Sequence, residues 1–253
     1  MIAIVFAAGV GSRLKPFTDS HPKALAPVGG VPALVRVTDK LRAAGARRII
    51  VNIHHFPDQI RKCLESLPYA SDIEISDESD RLLDTAGALA KIWRENDTVQ
   101  TADSDEPIVI HNADIVTDFD IHRMIDTGTS AGADATILVN PGRNSSRRFL
   151  FDSAMRLRGW VNETKNIILP QGLETSGLTK AAFGGVHVIT PRVVEAISRS
   201  QGAVLEPQSI TPWYIANAGQ FKIVGYTPPG QFRWHDIGTS EKLAAADADF
   251  SQN

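Results

Sequence analysis

Residues 7 to 25, AAGVGSRLKPFTDSHPKAL, combine residue types that can bind phosphate groups. Gly9 and Gly11 allow the backbone to approach a ligand closely, and the exposed N–H groups of such a turn form a concave anion site. Arg13 and Lys23 add positive charge on either side. The stretch follows the apolar run Ile2 to Phe6, which is typical of a buried strand, so we expect the glycines at the carboxyl end of a sheet. The predicted chemistry is binding of a phosphorylated ligand, and an ordinary surface loop rich in Gly, Pro and Ser is the alternative.

The spacing of this stretch argues against two common nucleotide-binding motifs. A P-loop needs four residues between its glycines and then Gly-Lys-Ser/Thr, and this pattern is absent. A dinucleotide fingerprint needs a third glycine where Leu14 stands and an acidic residue after the second strand, where Asn52 to His55 stand. A nicotinamide-dependent dehydrogenase is therefore disfavoured.

The full pattern G-x-G-x-R-L-x-P-x-T, followed by Pro22 to Leu25, resembles the signature loop of the sugar-phosphate nucleotidylyltransferases, also called nucleotide-sugar pyrophosphorylases. The resemblance implies that this loop wraps the triphosphate of an NTP. It implies catalytic roles for Arg13 and Lys23, with Lys23 at the α-phosphate or the incoming sugar phosphate. The nucleotide-binding residues that it implies in the loop are Ala8, Gly9, Gly11, Ser12, Arg13 and Lys23.

Two separate aspartates match the metal-binding motifs of the same family. His111 to Asp114 resembles a strand end that carries Gly-Asp, and Trp234 to Thr239 resembles Trp-x-Asp-x-Gly-Thr. The resemblance implies that Asp114, also catalytic, and Asp236 hold Mg²⁺, and that Asn112 binds the nucleotide. Mg²⁺ favours one or two carboxylates together with substrate phosphates, which agrees with this role. Ala113 replaces the usual glycine, a departure that removes no catalytic group.

The segment Leu83 to Leu89, LDTAGAL, resembles the part of the family that holds the nucleotide base. The resemblance implies that Asp84, Thr85 and Gly87 bind the nucleotide. Taken alone, the same residues are equally typical of an ordinary helix with Thr85 or Asp84 as its cap.

Two further segments resemble the sugar-binding half of the family. The resemblance implies that Glu163 and Lys165 bind the sugar and its phosphate, and that Gly184 and Gly185 border the sugar. Residues 140 to 149, NPGRNSSRRF, begin like an Asn-Pro loop of one subgroup but carry Arg147 and Arg148 in place of a smaller Gly-Asp. These two arginines contact phosphate or are merely solvated, and the pattern does not decide between the two.

The resemblance implies an enzyme that joins an NTP and a sugar 1-phosphate and releases pyrophosphate. The short length and the motifs LDTAGAL and NADIVTDF favour UTP with N-acetylmuramate 1-phosphate. The alternatives are a GTP-dependent guanylyltransferase for mannose or heptose 1-phosphate and a cytidylyltransferase for a small alcohol phosphate such as phosphocholine. A noncatalytic nucleotide-sugar sensor is disfavoured because Lys23 and both aspartates are present.

The elements that must position these residues alternate between short β-rich runs and helical patterns. Strands are predicted at 2–6, 48–53, 73–75, 107–111, 135–139, 183–190 and 221–226, with a hairpin-type β segment at 151–162. Helices are predicted at 33–44, 57–66, 85–93, 118–127, 191–200 and from about 239. Asn96 to Glu106 is expected to be a solvated loop. This order predicts an α/β fold with a mixed, mostly parallel, Rossmann-like sheet flanked by helices and without a C-terminal β-helix. We expect one domain over 1–253, with a nucleotide-binding half, 1–139, and a sugar-binding half, 140–253.

Composition sets the remaining limits. The chain has 253 residues, 43% of them hydrophobic, and a net charge of −3, which gives no reason to expect nucleic acid or an anionic membrane as a partner. No apolar run approaches the roughly 20 residues that span a bilayer. The opening MIAIVFAAG has no basic segment before its apolar run, so a signal peptide is not expected. These observations predict a cytoplasmic enzyme.

Overall fold

The computed structural model describes residues 1–140 and 142–251. Within these ranges the strands are β1 (Ile2–Phe6), β2 (Pro27–Val28), β3 (Val31–Pro32), β4 (Arg48–Ile53), β5 (Ile73–Asp77), β6 (Ile108–Asn112), β7 (Ile115–Thr117), β8 (Ala135–Asn140), β9 (Arg147–Phe151), β10 (Leu157–Asn162), β11 (Ile167–Leu169), β12 (Thr179–Ile189), β13 (Ile223–Tyr226) and β14 (Trp234–Asp236). The α-helices are α1 (Ala33–Ala43), α2 (Pro57–Glu65), α3 (Asp84–Glu95), α4 (Asp97–Gln100), α5 (Ile121–Ala131), α6 (Pro191–Ser200), α7 (Ile210–Asn217) and α8 (Ser240–Phe250). Single 3₁₀ turns lie at Ser12–Leu14, Phe17–Asp19, Lys23–Leu25 and Ala70–Asp72.

The chain divides into two compact units, which are described separately. Unit 1 comprises Met1–Leu83, Ile108–Phe119 and Gln231–Asn253, and unit 2 comprises Asp84–Pro107 and Asp120–Gly230. The expected division at residue 140 concerns which ligand each half binds, and it stays a prediction.

The sheet of unit 1 is built around β1. This strand pairs in parallel with β4 on one side and β6 on the other, and β5 pairs in parallel with β4. Residues Ile2 to Val5 are fully buried because a strand covered on both faces has no solvent side. Helix α1, also in unit 1, buries Leu34, Val37 and Leu41, as their helical spacing predicts.

A separate apolar cluster of unit 1 holds the segments that carry the phosphate loop and both aspartates. Leu14 of the loop, Val116 of β7, Ile237 after β14 and Ala246 of α8 are buried together in it. Strands β7 and β14 form their own antiparallel pair. Thr239 caps α8, its hydroxyl accepting from the N–H of Lys242, as the sequence predicts.

Unit 2 is mainly antiparallel. Strand β12 pairs antiparallel with β8 and β9, β10 pairs antiparallel with β9 and β11, and β13 pairs in parallel with β8. Helices α3 and α6 pack against each other. The guanidinium of Arg94 on α3 donates to the carbonyls of Ser198 and Gly202 at the end of α6, which satisfies groups that a helix end leaves without partners.

One expectation about secondary structure was wrong in detail, and another is confirmed. The stretch Asn96 to Glu106 is not only a loop, because α4 forms within it. The Asn96 side chain accepts from the N–H of Val99, and Val99 is fully buried. The hairpin-type β segment expected over 151–162 is confirmed as the hairpin of β9 and β10, which begins at Arg147. Its turn is held by the Asp152 carboxylate, which accepts from two backbone N–H groups.

The predicted fold class is confirmed: the chain has a mixed, mostly parallel sheet flanked by helices, and the described residues contain no C-terminal β-helix. Helix α7, which the sequence analysis did not anticipate, is apolar along most of its length and buries Trp213 and Tyr214. None of the helices in the described ranges has the length and apolar character needed to cross a membrane.

Candidate active site

The phosphate loop depends on Gly11 for its shape. Gly11 has φ +67°, a conformation that residues with a side chain rarely adopt. A Cβ at this position would lie 2.8 Å from Cβ of Lys23 and 2.9 Å from Cγ2 of Thr18. The hydroxyl of Thr18 donates to the Gly11 carbonyl at 3.0 Å, which fixes the turn. Only glycine fits here because Lys23 packs directly against the loop.

Gly9 has the opposite character, because it is open to solvent. A Cβ at Gly9 would meet nothing within 4 Å. Ala8 beside it is buried, whereas Val10 and Ser12 are exposed. The loop therefore offers its backbone to a ligand at Gly9 and is packed against the protein at Gly11.

Asn52 anchors the start of this loop, a role that sequence reasoning missed. Its Oδ1 accepts from the N–H of Ala7 at 2.8 Å, and its Nδ2 donates to Oε1 of Glu78 at 2.8 Å. In the sequence, Asn52 stands out only because it is not acidic. The available signal was its place at the carboxyl end of β4, which lies beside β1 in a parallel sheet.

Lys23 and Asp114 form an ion pair in unit 1. The ammonium nitrogen of Lys23 lies 2.5 Å from Oδ2 of Asp114. The Lys23 side chain is 10% exposed and that of Asp114 is 33% exposed, so the lysine is largely enclosed while the carboxylate has an open side. A charged, directly hydrogen-bonded pair of this kind holds both groups in place.

Strand pairing brings Asp236 next to Asp114, although the two are far apart in the chain. Asp236 of β14 lies opposite Ile115 of β7, and the N–H of Ile237 donates to the Asp114 carbonyl at 3.0 Å. Oδ1 of Asp236 accepts from the N–H of Gly238 at 3.0 Å. Its Oδ2 lies 3.4 Å from the ammonium nitrogen of Lys242.

Gly238 lies at the centre of this charged cluster. A Cβ at Gly238 would lie 2.8 Å from Oδ1 of Asp236, 3.3 Å from Nη2 of Arg13 and 3.6 Å from Nζ of Lys23. The two cations of the loop and the second aspartate therefore surround a position that has no side chain. The structure brings together Arg13, Lys23, Asp114 and Asp236, all of which the sequence singled out.

The donor set of this cluster fits Mg²⁺ that is carried by a phosphate ligand. The Asp236 carboxylate faces the space that a Cβ at Gly238 would fill, and Asp114 joins the cluster through its ion pair with Lys23. In the described part of the chain no group of three or more His, Cys, Asp or Glu side chains could hold a metal alone. Mg²⁺ commonly takes one or two carboxylates and completes its shell with substrate phosphates and water. The residues present therefore fit this ion.

Asn112, at the end of β6, carries a buried acceptor that lacks a partner. Among the described residues its Oδ1 has no hydrogen-bond donor. Buried polar atoms are normally paired, and an unpaired one needs an explanation.

The preceding His111 is fully buried, and burial lowers its pKa to about 4, so this imidazole is neutral near pH 7.

The residues predicted to hold the base, from Asp84 onward, lie in unit 2, where Asp84 and Thr85 make different contacts at the start of α3. Asp84 is the first residue of α3 with φ 56°, and its carboxylate accepts from the N–H of Thr85 at 2.6 Å. The hydroxyl of Thr85 instead accepts from the N–H of Ile210 at 2.8 Å, so it caps α7. The N–H groups of Ala86 and Gly87 donate to the carbonyl of Gln208. Of the two residues expected to cap α3, Thr85 does not do so because α7 packs there, whereas Asp84 accepts a backbone N–H at the start of α3.

The predicted sugar-binding pair, Glu163 and Lys165, also lies in unit 2, directly after the end of β10. Glu163 forms ion pairs with Lys180 at 3.1 Å and with Arg148 at 3.7 Å. Lys165 is exposed, and its N–H donates to Oδ1 of Asn162. Arg148 also donates to the Ser145 carbonyl. Pro141 of the Asn-Pro loop lies outside the described residues.

Gly184 and Gly185 have structural reasons to be glycine within β12. A Cβ at Gly184 would lie 2.6 Å from Cγ of Leu138, so the close contact of β12 with β8 requires glycine. Gly185 has φ +78° and lies where the register between β12 and β8 shifts. Their expected place beside the sugar stays a prediction.

The chain is similar to known nucleotidyl transferases. The family model for the nucleotidyl transferases matches residues 2–148, which is more than half of the chain. N-acetylmuramate alpha-1-phosphate uridylyltransferase of Neisseria meningitidis serogroup B is 28% identical over 255 residues, which cover 98% of this chain and 97% of the relative. Mannose-1-phosphate guanylyltransferase 1 of Arabidopsis thaliana is 26% identical over 246 residues, which cover 94% of this chain and 61% of the relative. A Bacillus anthracis protein assigned as a glucose-1-phosphate thymidylyltransferase, solved with sucrose, has a TM-score of 0.77 and 20% identity over 100% of this chain and 96% of that chain, a likeness of fold alone.

Proposed function

Because the chain belongs to the nucleotidyl transferase family, we propose that it transfers a nucleotidyl group from an NTP to a sugar 1-phosphate and releases pyrophosphate. The predicted family and the prediction that the protein is an enzyme are confirmed by its relatives. The observation that carries the proposed reaction is the cluster of Arg13, Lys23, Asp114 and Asp236 around Gly238. This cluster combines cations for phosphates with carboxylates for a divalent metal.

In the proposed reaction, an anionic phosphate oxygen of the sugar 1-phosphate attacks the α-phosphorus of the NTP in line. The bond from the α-phosphorus to the bridging oxygen breaks, and its electron pair leaves with pyrophosphate. No proton transfer and no nucleophile from the protein are needed. The protein contributes positioning and stabilisation of negative charge, which are the main requirements of phosphoryl-type transfer.

The loop residues divide this work according to their surroundings. The open backbone at Gly9 suits close approach of the triphosphate, together with the loop residues Ala8, Gly11 and Ser12. Arg13 is exposed and suits the outer phosphates, where its fork of N–H groups can bind two oxygens. Lys23 is enclosed and fixed by Asp114, which suits charge stabilisation at the α-phosphate.

Asp114 and Asp236 would hold Mg²⁺, and the ion when bound supplies charge neutralisation on the phosphates. The partnerless Oδ1 of Asn112 can accept a hydrogen bond from a hydroxyl or N–H group of the nucleotide, which supports its proposed role. Roles for Asp84, Thr85 and Gly87 toward the base, and for Glu163, Lys165, Gly184 and Gly185 toward the sugar, belong to the same proposal.

We favour UTP and N-acetylmuramate 1-phosphate as the substrates. The uridylyltransferase of Neisseria meningitidis matches this chain along 97% of its own length, whereas the Arabidopsis guanylyltransferase matches along 61%. GTP with mannose or heptose 1-phosphate is the first alternative, and CTP with phosphocholine is the second. A cytoplasmic location remains part of the proposal.

A substrate matrix tests the proposal directly. Each of the five common NTPs is combined with N-acetylmuramate, mannose, heptose and glucose 1-phosphates and with phosphocholine, and pyrophosphate release is measured with Mg²⁺ present. We expect release with UTP and N-acetylmuramate 1-phosphate above all other pairs. Release with GTP and a hexose or heptose phosphate would support the first alternative, and no release with any pair would contradict the proposed reaction.

A further inference from the structure

Each carboxylate proposed to hold the metal is already paired with a lysine. Asp114 is paired with Lys23 at 2.5 Å, and Asp236 is paired with Lys242 at 3.4 Å. Lys242 lies in the first turn of α8, where the Thr239 cap fixes its backbone N–H. The sequence motifs include Lys23 but give no role to Lys242.

The charges of the cluster oppose binding of a free metal ion. Arg13, Lys23 and Lys242 contribute three positive charges, and Asp114 and Asp236 contribute two negative charges. A free divalent cation would therefore enter a site that is net positive. The same ion on a triphosphate arrives as a net anion, which this cluster attracts.

The contacts of Asp236 add a geometric reason why a free metal ion should bind weakly. Its Oδ1 accepts from the N–H of Gly238, and its Oδ2 is next to the ammonium group of Lys242. The ammonium group of Lys242 therefore competes with a metal ion for Oδ2. The Lys242 side chain is 51% exposed, so it has space to move, whereas Asp236 is 10% exposed and stays in place.

We propose that Lys242 is a positioning residue that keeps Asp236 paired until the metal arrives on a nucleotide. Phosphate oxygens of the NTP then bind the ammonium group of Lys242, and Oδ2 of Asp236 becomes available to the metal. The enzyme thus selects the metal–NTP complex over the free ion. The inference rests on the proposed function, because it assigns Asp114 and Asp236 to the metal.

The test measures Mn²⁺ binding to the full chain without nucleotide, by electron paramagnetic resonance of the free ion. We expect weak binding by the wild type. The variant Lys242→Met, which keeps most of the side-chain length and removes the charge, should bind Mn²⁺ up to about fivefold more tightly, the upper end of the range for one exposed ion pair. Introducing Asp236→Asn into that variant should abolish the gain.

A matched control is Lys91→Met. Lys91 pairs with Glu95 on α3 at 2.8 Å, so this variant removes the same charge and releases a carboxylate elsewhere. It should leave Mn²⁺ binding at the wild-type value. With UTP present, the wild type should bind one Mn²⁺ per chain, and Lys242→Met should not bind the Mn²⁺–UTP complex more tightly.

The outcomes separate this inference from the proposed function. Unchanged Mn²⁺ affinity in Lys242→Met, or a gain that survives Asp236→Asn, overturns the role of Lys242 even if the substrate matrix shows pyrophosphate release. If the substrate matrix shows no pyrophosphate release, but Lys242→Met gains Mn²⁺ affinity and the gain depends on Asp236, the role of Lys242 is supported and the proposed reaction fails.

Discussion

The contrast between Gly11 and Gly9 allows a paired test of the phosphate loop. Replacing Gly11 by alanine forces a side chain into φ +67°, which costs about 1–2 kcal/mol. The added Cβ also lies 2.8 Å from Cβ of Lys23 and 2.9 Å from Cγ2 of Thr18, so neighbouring atoms must move. Overpacking of this kind costs about 1–3 kcal/mol.

The two contributions give a loss of about 3 kcal/mol in the free energy of unfolding. For a chain of this size, each kcal/mol corresponds to roughly 2–4 °C, so the thermal midpoint should fall by roughly 6–12 °C. Far-UV circular dichroism during heating measures this thermal midpoint. Pyrophosphate release should fall as well, because the clash moves Lys23.

Gly9→Ala is the control, because its Cβ would meet nothing within 4 Å and its φ lies outside the left-handed range. Its thermal midpoint should stay within about 2 °C of the wild type, as for other exposed substitutions. The KM for NTP should nevertheless rise, because the methyl group occupies the open face. The reasoning is refuted if Gly11→Ala unfolds at the wild-type temperature, or if Gly9→Ala loses as much stability as Gly11→Ala.

Three further predictions concern other parts of the molecule. Asp114→Asn should lower pyrophosphate release by at least about 100-fold, the range seen when one charge-stabilising group is removed, while the thermal midpoint stays within a few degrees; near-normal release would exclude its catalytic role. Thr85→Val should lower the free energy of unfolding by about 1–2 kcal/mol in urea titrations, because it leaves the buried N–H of Ile210 without an acceptor, and an unchanged urea midpoint would contradict the cap. Because burial lowers the pKa of His111 to about 4, only the unfolded chain gains this proton as the pH falls from about 6.5 to 4. The free energy of unfolding should therefore fall by up to about 1.4 kcal/mol per pH unit, and His111→Gln should flatten this slope; an unchanged slope would show that His111 is not responsible.

The sequence predicted those parts of the molecule in which local pattern decides. The apolar run Ile2 to Val5 has no polar face, and it forms the buried central strand of unit 1. Helix α6 starts at Pro191 and ends at Ser200, as its spacing predicts. Patterns of this kind depend on neighbours within a few residues, so one chain is enough to recognise them.

The residues of the charged cluster were predictable from motifs. The structure shows how motifs that lie far apart in the chain come together. Asp114 and Asp236 carry no local signal that they are neighbours. The pairing of β7 with β14 brings them together, and both strands are only three residues long. Such short strands lack the alternating pattern by which strands are usually found.

Features that depend on distant contacts were not predictable. Thr85 was one of two residues expected to cap α3, but it caps the helix that begins at Ile210, because α7 packs beside α3. Lys242 gives no signal in its own segment, and its role depends on the position of Asp236. Side-chain pairings of this kind require the tertiary structure.

The order in which the ribosome makes these segments has a consequence for when activity can arise. Unit 1 takes its last segment from residues after Gly230, and β14 supplies Asp236 from that segment. About 120 residues separate Asp114 from Asp236, so at about 5–20 residues per second the two aspartates are made roughly 6–24 s apart. During that interval β7 lacks its partner strand, and Leu14 and Val116 lack the apolar cover of Ile237 and Ala246. A nascent chain that has not yet reached α8 therefore leaves the apolar residues of this cluster uncovered, and the charged cluster can assemble only after nearly the whole chain has been made.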